Sequence, residues 1–346
     1  MAGTVIVETI TSQVLQDNPL GDPVERRVPV YLPPGYNAGS ARYPIVYLLA
    51  GFTGSGAFML NESAFDESIP ERLDRLITGG HLEPLIVAMP DGLTRYGGSQ
   101  YINSSATGRY EDHLIHEVIP HFDQRYRTRA EAGGRAIAGK SSGGYGALAL
   151  AMRHPHLFGA VACHSGDMAF DYCYKPDFVK FINAAARNAI NSQETLRDWL
   201  AGFSPKLHPK PPAFFDMLDI AAMAACYSPN PNAPAGFDLP FELHTGRPRP
   251  AVWQRWLAHD PLTLIEAPAA QAALRQMKLV YLDCGNQDEY ALHLGARMFT
   301  QRLTELNIPH QYHEFDGGHR NTQFRYDVSL PAIAQALAVP PVDSSQ

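Results

Sequence analysis

Apolar residues fall along this chain in short dense runs, separated by longer stretches with helical spacing. Residues 45–49 (Ile-Val-Tyr-Leu-Leu) and 85–89 (Leu-Ile-Val-Ala-Met) contain no charged position, as expected for strands buried on both faces of a parallel sheet. Residues 5–10 and 27–32 read as an antiparallel opening pair, the second closed by Pro33-Pro34-Gly35. Further strands are expected at 136–138, 158–163, 279–282 and 311–315. Helical spacing runs through Leu114, Val118 and Phe122 in residues 110–126, through 146–152, and through 290–306. Strands and helices that alternate with short links predict an α/β fold built on a mostly parallel, doubly wound sheet.

One segment breaks the rhythm. Residues 166–261 show helical stretches and loops but no strand. Residues 205–250 hold ten of the 28 prolines, and Trp199, Trp253 and Trp256 all lie in the wider segment. This predicts a single domain over 1–338 with a helical cap inserted at about 166–261, followed by a flexible tail at 339–346; a plain surface excursion is the alternative. Within the insertion, Phe214, Met217, Leu218 and Ala221 share one helical face, as core packing or as a substrate wall. Tyr101, His164, Phe215 and Met217 are the side chains expected to line a substrate pocket. The tryptophans and prolines suggest a rigid cover above it.

The chemistry concentrates in Gly139-Lys140-Ser141-Ser142-Gly143, a G-x-S-x-G motif between a predicted strand and a predicted helix. This is the setting of a nucleophile elbow, a turn so tight that the positions two before and two after the serine must be glycine. The same residues satisfy the phosphate-loop pattern G-x-x-x-x-G-K-S from Gly134. That reading fails on context: residues 126–133 are too polar for its strand, and the residues between the glycines read as strand themselves.

A serine needs a base, and the base needs an orienting acid. Expected order along the chain is serine, acid, histidine, each on a loop after a strand. His319 lies just past the last strand in Asp316-Gly317-Gly318-His319 and is the expected base. Asp288 follows the preceding strand beyond a glycine and is the favoured acid; Asp283 is still in strand register, and Glu289 is accounted for by the helix dipole. The amides of Phe52 and Ser142 are the expected oxyanion donors. His113 and His116 have metal-like spacing but no third ligand, so a solvated helix face is expected.

The net charge of −7 argues against nucleic acid or an anionic membrane as partner. No run approaches 18 apolar residues. The first nine residues lack a basic segment and include Glu8, so no signal peptide is expected and the cytoplasm is the expected location. Cys163, Cys173, Cys226 and Cys284 are far apart and expected to be free thiols, with a Cys163–Cys173 bridge left open. No cofactor or metal is expected. The expected partner is a small molecule, and a homodimer is compatible with the sequence.

Taken together, residues 30–36 (Val-Tyr-Leu-Pro-Pro-Gly-Tyr), 47–52 (Tyr-Leu-Leu-Ala-Gly-Phe), Tyr110-Glu111-Asp112 with Glu117-Val118-Ile119-Pro120, the elbow, Asp283-Cys284-Gly285 with Asp288, and Gly317-Gly318-His319 carry a family likeness. The chain resembles the esterase D-like family of α/β-hydrolases, which includes S-formylglutathione hydrolases, feruloyl and acetylxylan esterases, enterochelin esterases and mycolyltransferases. The resemblance covers roughly residues 24–167 and 278–338. It implies an α/β-hydrolase fold and a serine esterase working through an acyl-enzyme on small to medium acyl or aryl esters. Acyl transfer to an alcohol or sugar by the same residues is the alternative. By that likeness Ser141, Asp288 and His319 match the family's triad, and Phe52 and Ser142 its oxyanion donors. Ala50 where many relatives carry histidine, Arg320 after the last histidine, the long insertion and the missing Leu-Thr-Cys after Gly51 are departures that bear on substrate.

Overall fold

A computed structural model describes residues 2–202 and 213–338. Its frame is an eight-stranded sheet formed by β1 (Thr4–Thr11), β2 (Glu25–Leu32), β3 (Ile45–Leu49), β4 (Ile86–Ala88), β7 (Arg135–Lys140), β8 (Ala160–His164), β9 (Leu279–Gly285) and β10 (Gln311–Phe315). The remaining strands, β5 (Asn103–Ser104) and β6 (Gly108–Arg109), make a separate short hairpin. The sheet order is β1-β2-β4-β3-β7-β8-β9-β10. Within this sheet β1 and β2 pair antiparallel, as does β2 with β4, and its other pairings are parallel. This is the α/β-hydrolase arrangement, with helices on both faces.

The two-sided burial expected of the apolar runs is present. All five residues of β3 are buried. Ile45, Tyr47 and Leu49 belong to one hydrophobic core, and Val46 and Leu48 to the core on the opposite face. β7 alternates in the same way, with Ile137 on one side and Ala136 and Ala138 on the other. Each fully buried Val, Leu or Ile contributes about 1.5–3 kcal/mol, so both faces must be covered. At the edge, β10 carries Glu314, ion-paired to Arg297, and His313, polar positions that discourage pairing with another chain. Because residues 135–140 are strand, the four residues between Gly134 and Gly139 cannot form a phosphate loop.

The helix expected at 110–126 is interrupted. It starts as a short α-turn at Tyr110–Asp112, widens to a π-turn over His113–Val118, and returns to α at Ile119–Arg125. The Ile119 amide reaches back to the Leu114 carbonyl, and Pro120 has no N–H to offer the tighter pattern. His113 is buried here, not solvated as expected. Its Nδ1 lies 2.7 Å from Glu117 Oε2, and Glu117 in turn accepts from Ser12 and the Gln13 and Val14 amides. His116 is exposed.

Between β8 and β9 the described residues contribute no strand of the sheet but the helices Phe170–Cys173, Lys175–Arg187, Gln193–Ala201, Phe214–Tyr227, Pro250–Leu257, Pro261–Leu264 and Pro268–Gln276, with isolated β-bridges joining Pro229 to Phe237 and Phe241 to Pro248. Pro205, Pro209, Pro211, Pro212 and the tail at 339–346 lie outside the described residues. The tryptophans do not roof the site as the sequence suggested. Trp256 is fully buried, and with Trp253 it packs against Tyr174, Phe178 and Tyr227 as the insertion's own aromatic core. Trp199 packs against Phe214. All four cysteines are buried and free. No helix among the described residues is long and apolar enough to cross a membrane.

Candidate active site

The parallel strands end side by side. Leu49 is level with Gly139, Lys140 with His164, His164 with Asp283, and Phe315 with Gly285. The loops leaving these carboxyl ends are where open parallel sheets place their sites.

Ser141 occupies the turn between β7 and the helix Ser142–Arg153, at φ 57 and ψ −128. A residue with a Cβ adopts that conformation only when its surroundings impose it. Its amide donates to the His164 carbonyl and its carbonyl accepts from Tyr145, both at 2.9 Å. The glycine requirement is steric. A Cβ on Gly139 would lie 2.4 Å from the Gly143 oxygen, and one on Gly143 would lie 2.3 Å from the Leu49 oxygen.

His319 and Asp288 come together from neighbouring loops, His319 Nδ1 lying 2.8 Å from Asp288 Oδ2. The Tyr290 amide holds the other carboxylate oxygen at 2.9 Å. Burial pushes the Asp288 carboxyl up, but the hydrogen bond and charge of His319 with the Tyr290 and Leu292 amides bring it below the ordinary 3.8. An ionised carboxylate at Nδ1 places the imidazole proton there and leaves Nε2 free to accept one. The two loops interlock: Asn286 and Gln287 amides donate to the Phe315 and Gly317 carbonyls, and a Cβ on Gly285 would strike the Gly317 oxygen at 2.3 Å. Glu289 does more than answer a helix dipole. The next helix starts only at Leu292, and Glu289 Oε2 accepts the His319 amide at 2.6 Å. The Tyr290 ring stands edge-on to His319, centroids 4.9 Å apart.

Asp283 is committed elsewhere. It accepts from His164 Nδ1 at 2.8 Å, Arg325 Nε at 2.9 Å and the Tyr281 hydroxyl at 2.9 Å. His164 Nε2 lies 3.0 Å from Ser329 Oγ. This Ser–His–Asp relay is wholly buried, and ties the helix Tyr326–Leu337 to the sheet.

In the loop after β3, the Thr53 and Gly54 amides are spent on the Gly97 and Gly51 carbonyls. Among the described residues the Phe52 and Ser142 amides have no such backbone partner. Tyr101 pins this loop, its hydroxyl donating to the Ala50 carbonyl at 2.7 Å.

Two cavities meet at Ser141, Phe52 and His319. The first, about 600 Å³, is lined by Lys140 and the segment around Ser55–Ile69. The second, about 550 Å³, lies toward the insertion and is lined by Asp167, Tyr174, Phe215, Asp219 and Tyr290 among others. Of the four expected pocket residues only Phe215 borders either. Tyr101 is turned under the Ala50 loop, His164 is clamped between Asp283 and Ser329, and Met217 is fully buried. The stripe of Phe214, Met217, Leu218 and Ala221 is core. The helix shows the cavity its opposite side, with Phe215, Asp216, Asp219 and Met223. Asp167 and Asp219 escaped the sequence reading, although for Asp219 there was a signal: Asp216 and Asp219 stand three apart on an otherwise apolar helix.

Residues 23–336 match the family model described as "Putative esterase". The chain is 33% identical over 157 residues to the "Endo-1,4-beta-xylanase/feruloyl esterase" of Xylanibacter ruminicola, a match covering 44% of this chain and 20% of that protein. It is 27% identical over 305 residues to "Esterase Rv1288" of Mycobacterium tuberculosis, covering 87% of this chain and 54% of that one. The chain thus spans about half or less of the length of these relatives. A solved "ferulic acid esterase" superposes with a TM-score of 0.63 at 20% identity, covering 97% of this chain and 99% of that one, which is a likeness of fold. With a family match running over nearly its whole length, on this sheet, the chain belongs to the esterase family of α/β-hydrolases.

Proposed function

We propose that this protein hydrolyses carboxylic esters through an acyl-enzyme on Ser141. His319 takes the serine proton as the hydroxyl attacks the ester carbonyl, Asp288 holds the imidazole in register and stabilises its cation, and the Phe52 and Ser142 amides receive the oxyanion. His319 then returns the proton to the departing alcohol, and water repeats the sequence to release the acid. The observation that carries this reading is that Ser141, held on its strained turn, shares two cavities with a histidine anchored 2.8 Å from a buried carboxylate. The cavities flank the serine and leave room for both halves of a small to medium acyl or aryl ester. The names of the relatives, esterases among them, support the same class of substrate.

The test is covalent. A fluorophosphonate should add once to the wild-type chain, the adduct should map to Ser141 by peptide mass spectrometry, and labelling should block hydrolysis of p-nitrophenyl acetate. Addition elsewhere, or none, overturns the reading.

The proton inventory gives a second expected result. Only a neutral imidazole can accept the Ser141 proton, so kcat/KM should rise with pH along a one-proton limb. A rate independent of pH between about 5 and 8, the span in which an ordinary histidine changes charge, would exclude a histidine base.

A further inference from the structure

The cavity toward the insertion carries more charge than ester hydrolysis requires. Besides Ser141 and His319 it is lined by Asp167, Asp177, Asp216, Asp219, Lys180 and Arg320. Asp177 is matched by Lys180, 2.6 Å away, and Arg320 is exposed. Asp167 and Asp219 form no salt bridge among the described residues.

Asp167 is built into the wall. It is only 6% exposed, and its Oδ2 accepts from Gln100 Nε2 at 2.8 Å and the Tyr174 hydroxyl at 2.9 Å. Gln100 also donates to the Tyr227 hydroxyl and is itself buried. The backbone around this network has positive φ at Gln100, Tyr101 and Ser165, conformations that non-glycine residues keep only under constraint. The other oxygen of Asp167 takes no hydrogen bond among the described residues, and the residue borders the cavity.

Asp219 enters from the helix Phe214–Tyr227, where Asp216 and Asp219 are the only charged side chains. It has no hydrogen-bond partner among the described residues. Burial, then the charges of Asp167 and Asp177, push its carboxyl up to about 7, with Lys180 pulling the other way. The same cavity presents the aromatic rings of Tyr174, Phe215 and Tyr290. Carboxylates without counter-ions repel until a cation joins them, and aromatic faces attract the same charge.

We infer that this cavity is a subsite for a cationic group, an ammonium carried on the ester substrate and held between Asp167 and Asp219 beside the aromatic rings. The inference rests on Ser141 being the nucleophile of an esterase.

Acetylcholine and 3,3-dimethylbutyl acetate have the same shape and differ in charge. The ammonium ester should show a kcat/KM roughly tenfold or more above that of its uncharged isostere, the scale of a desolvated charge pair. Asp219→Asn and Asp167→Asn should each collapse that ratio toward one. Lowering the pH from about 8 to 6 should shrink it as Asp219, facing Asp167, Asp177 and Lys180, gains a proton; any pH effect on the chemical step is common to both esters and cancels in the ratio. A wild-type ratio of one or less, with the neutral ester still turned over, overturns the subsite and leaves the esterase reading standing. If neither ester turns over, fluorophosphonate labelling decides. Slower labelling of Ser141 in tetramethylammonium supports the subsite, unchanged labelling overturns it, and no labelling at Ser141 overturns the esterase reading itself.

Discussion

Replacing Ser141 by alanine is expected to lower kcat toward p-nitrophenyl esters by about 10⁴–10⁶-fold while leaving the fold and its thermal midpoint in place. The physical case is that the hydroxyl does nothing for stability. Among the described residues Ser141 Oγ has no hydrogen-bond partner, and the bonds that hold the turn, from its amide to the His164 carbonyl and from the Tyr145 amide to its carbonyl, belong to the backbone. Alanine keeps the Cβ, so the cost of φ 57 is unchanged. What disappears is the atom that would attack the ester. Turnover is read against circular dichroism and a melting curve of the same preparation. A folded variant that retains more than a few per cent of wild-type turnover, with contaminating esterase excluded, removes Ser141 from the mechanism.

The site was legible in the sequence where covalent geometry leaves no choice. Only glycine fits at 139 and 143, because the elbow brings those backbones into contact with each other and with Leu49. The motif is therefore a steric record of the turn. The strands of the central sheet were equally plain, since burial on both faces writes an unbroken apolar run such as Ile45–Leu49. What failed was direction. His164 ends β8, and the sequence does not say which side of the sheet its ring takes; it turns to Asp283 and Ser329. Periodicity found the stripe through Phe214 and Met217 but not what lay on either side of the helix. The core took the stripe, and the cavity took Phe215 and Asp219. The π-turn at His113–Val118 left no mark on the apolar spacing, because Leu114, Val118 and Phe122 are buried in either geometry.

Asp288→Asn and Asp283→Asn should fail in opposite ways. Asp288 is the carboxylate at His319 Nδ1, and an amide there can hold the imidazole in the wrong tautomer, so kcat should fall by about 10⁴-fold with little change in the melting curve. Asp283 faces no cavity at Ser141. It neutralises Arg325, whose side chain is 12% exposed, and receives His164 and Tyr281. Its loss leaves a largely buried guanidinium without a counter-ion, a change that costs about 3 kcal/mol or more. That variant should melt earlier and keep the larger share of its turnover. The pH dependence carries the sign. Burial pushes the Asp283 carboxyl up, but His164 and Arg325 bring it below the ordinary 3.8. Its stabilisation is therefore complete above the unfolded value and lost as the pH falls through the lower, folded one. The wild-type melting temperature should accordingly drop across that acidic window, and Asp283→Asn should flatten the drop. Measured kcat on folded preparations decides between the two acids: if Asp283→Asn loses more turnover than Asp288→Asn, the orienting acid is Asp283, reaching His319 by a route this geometry does not contain.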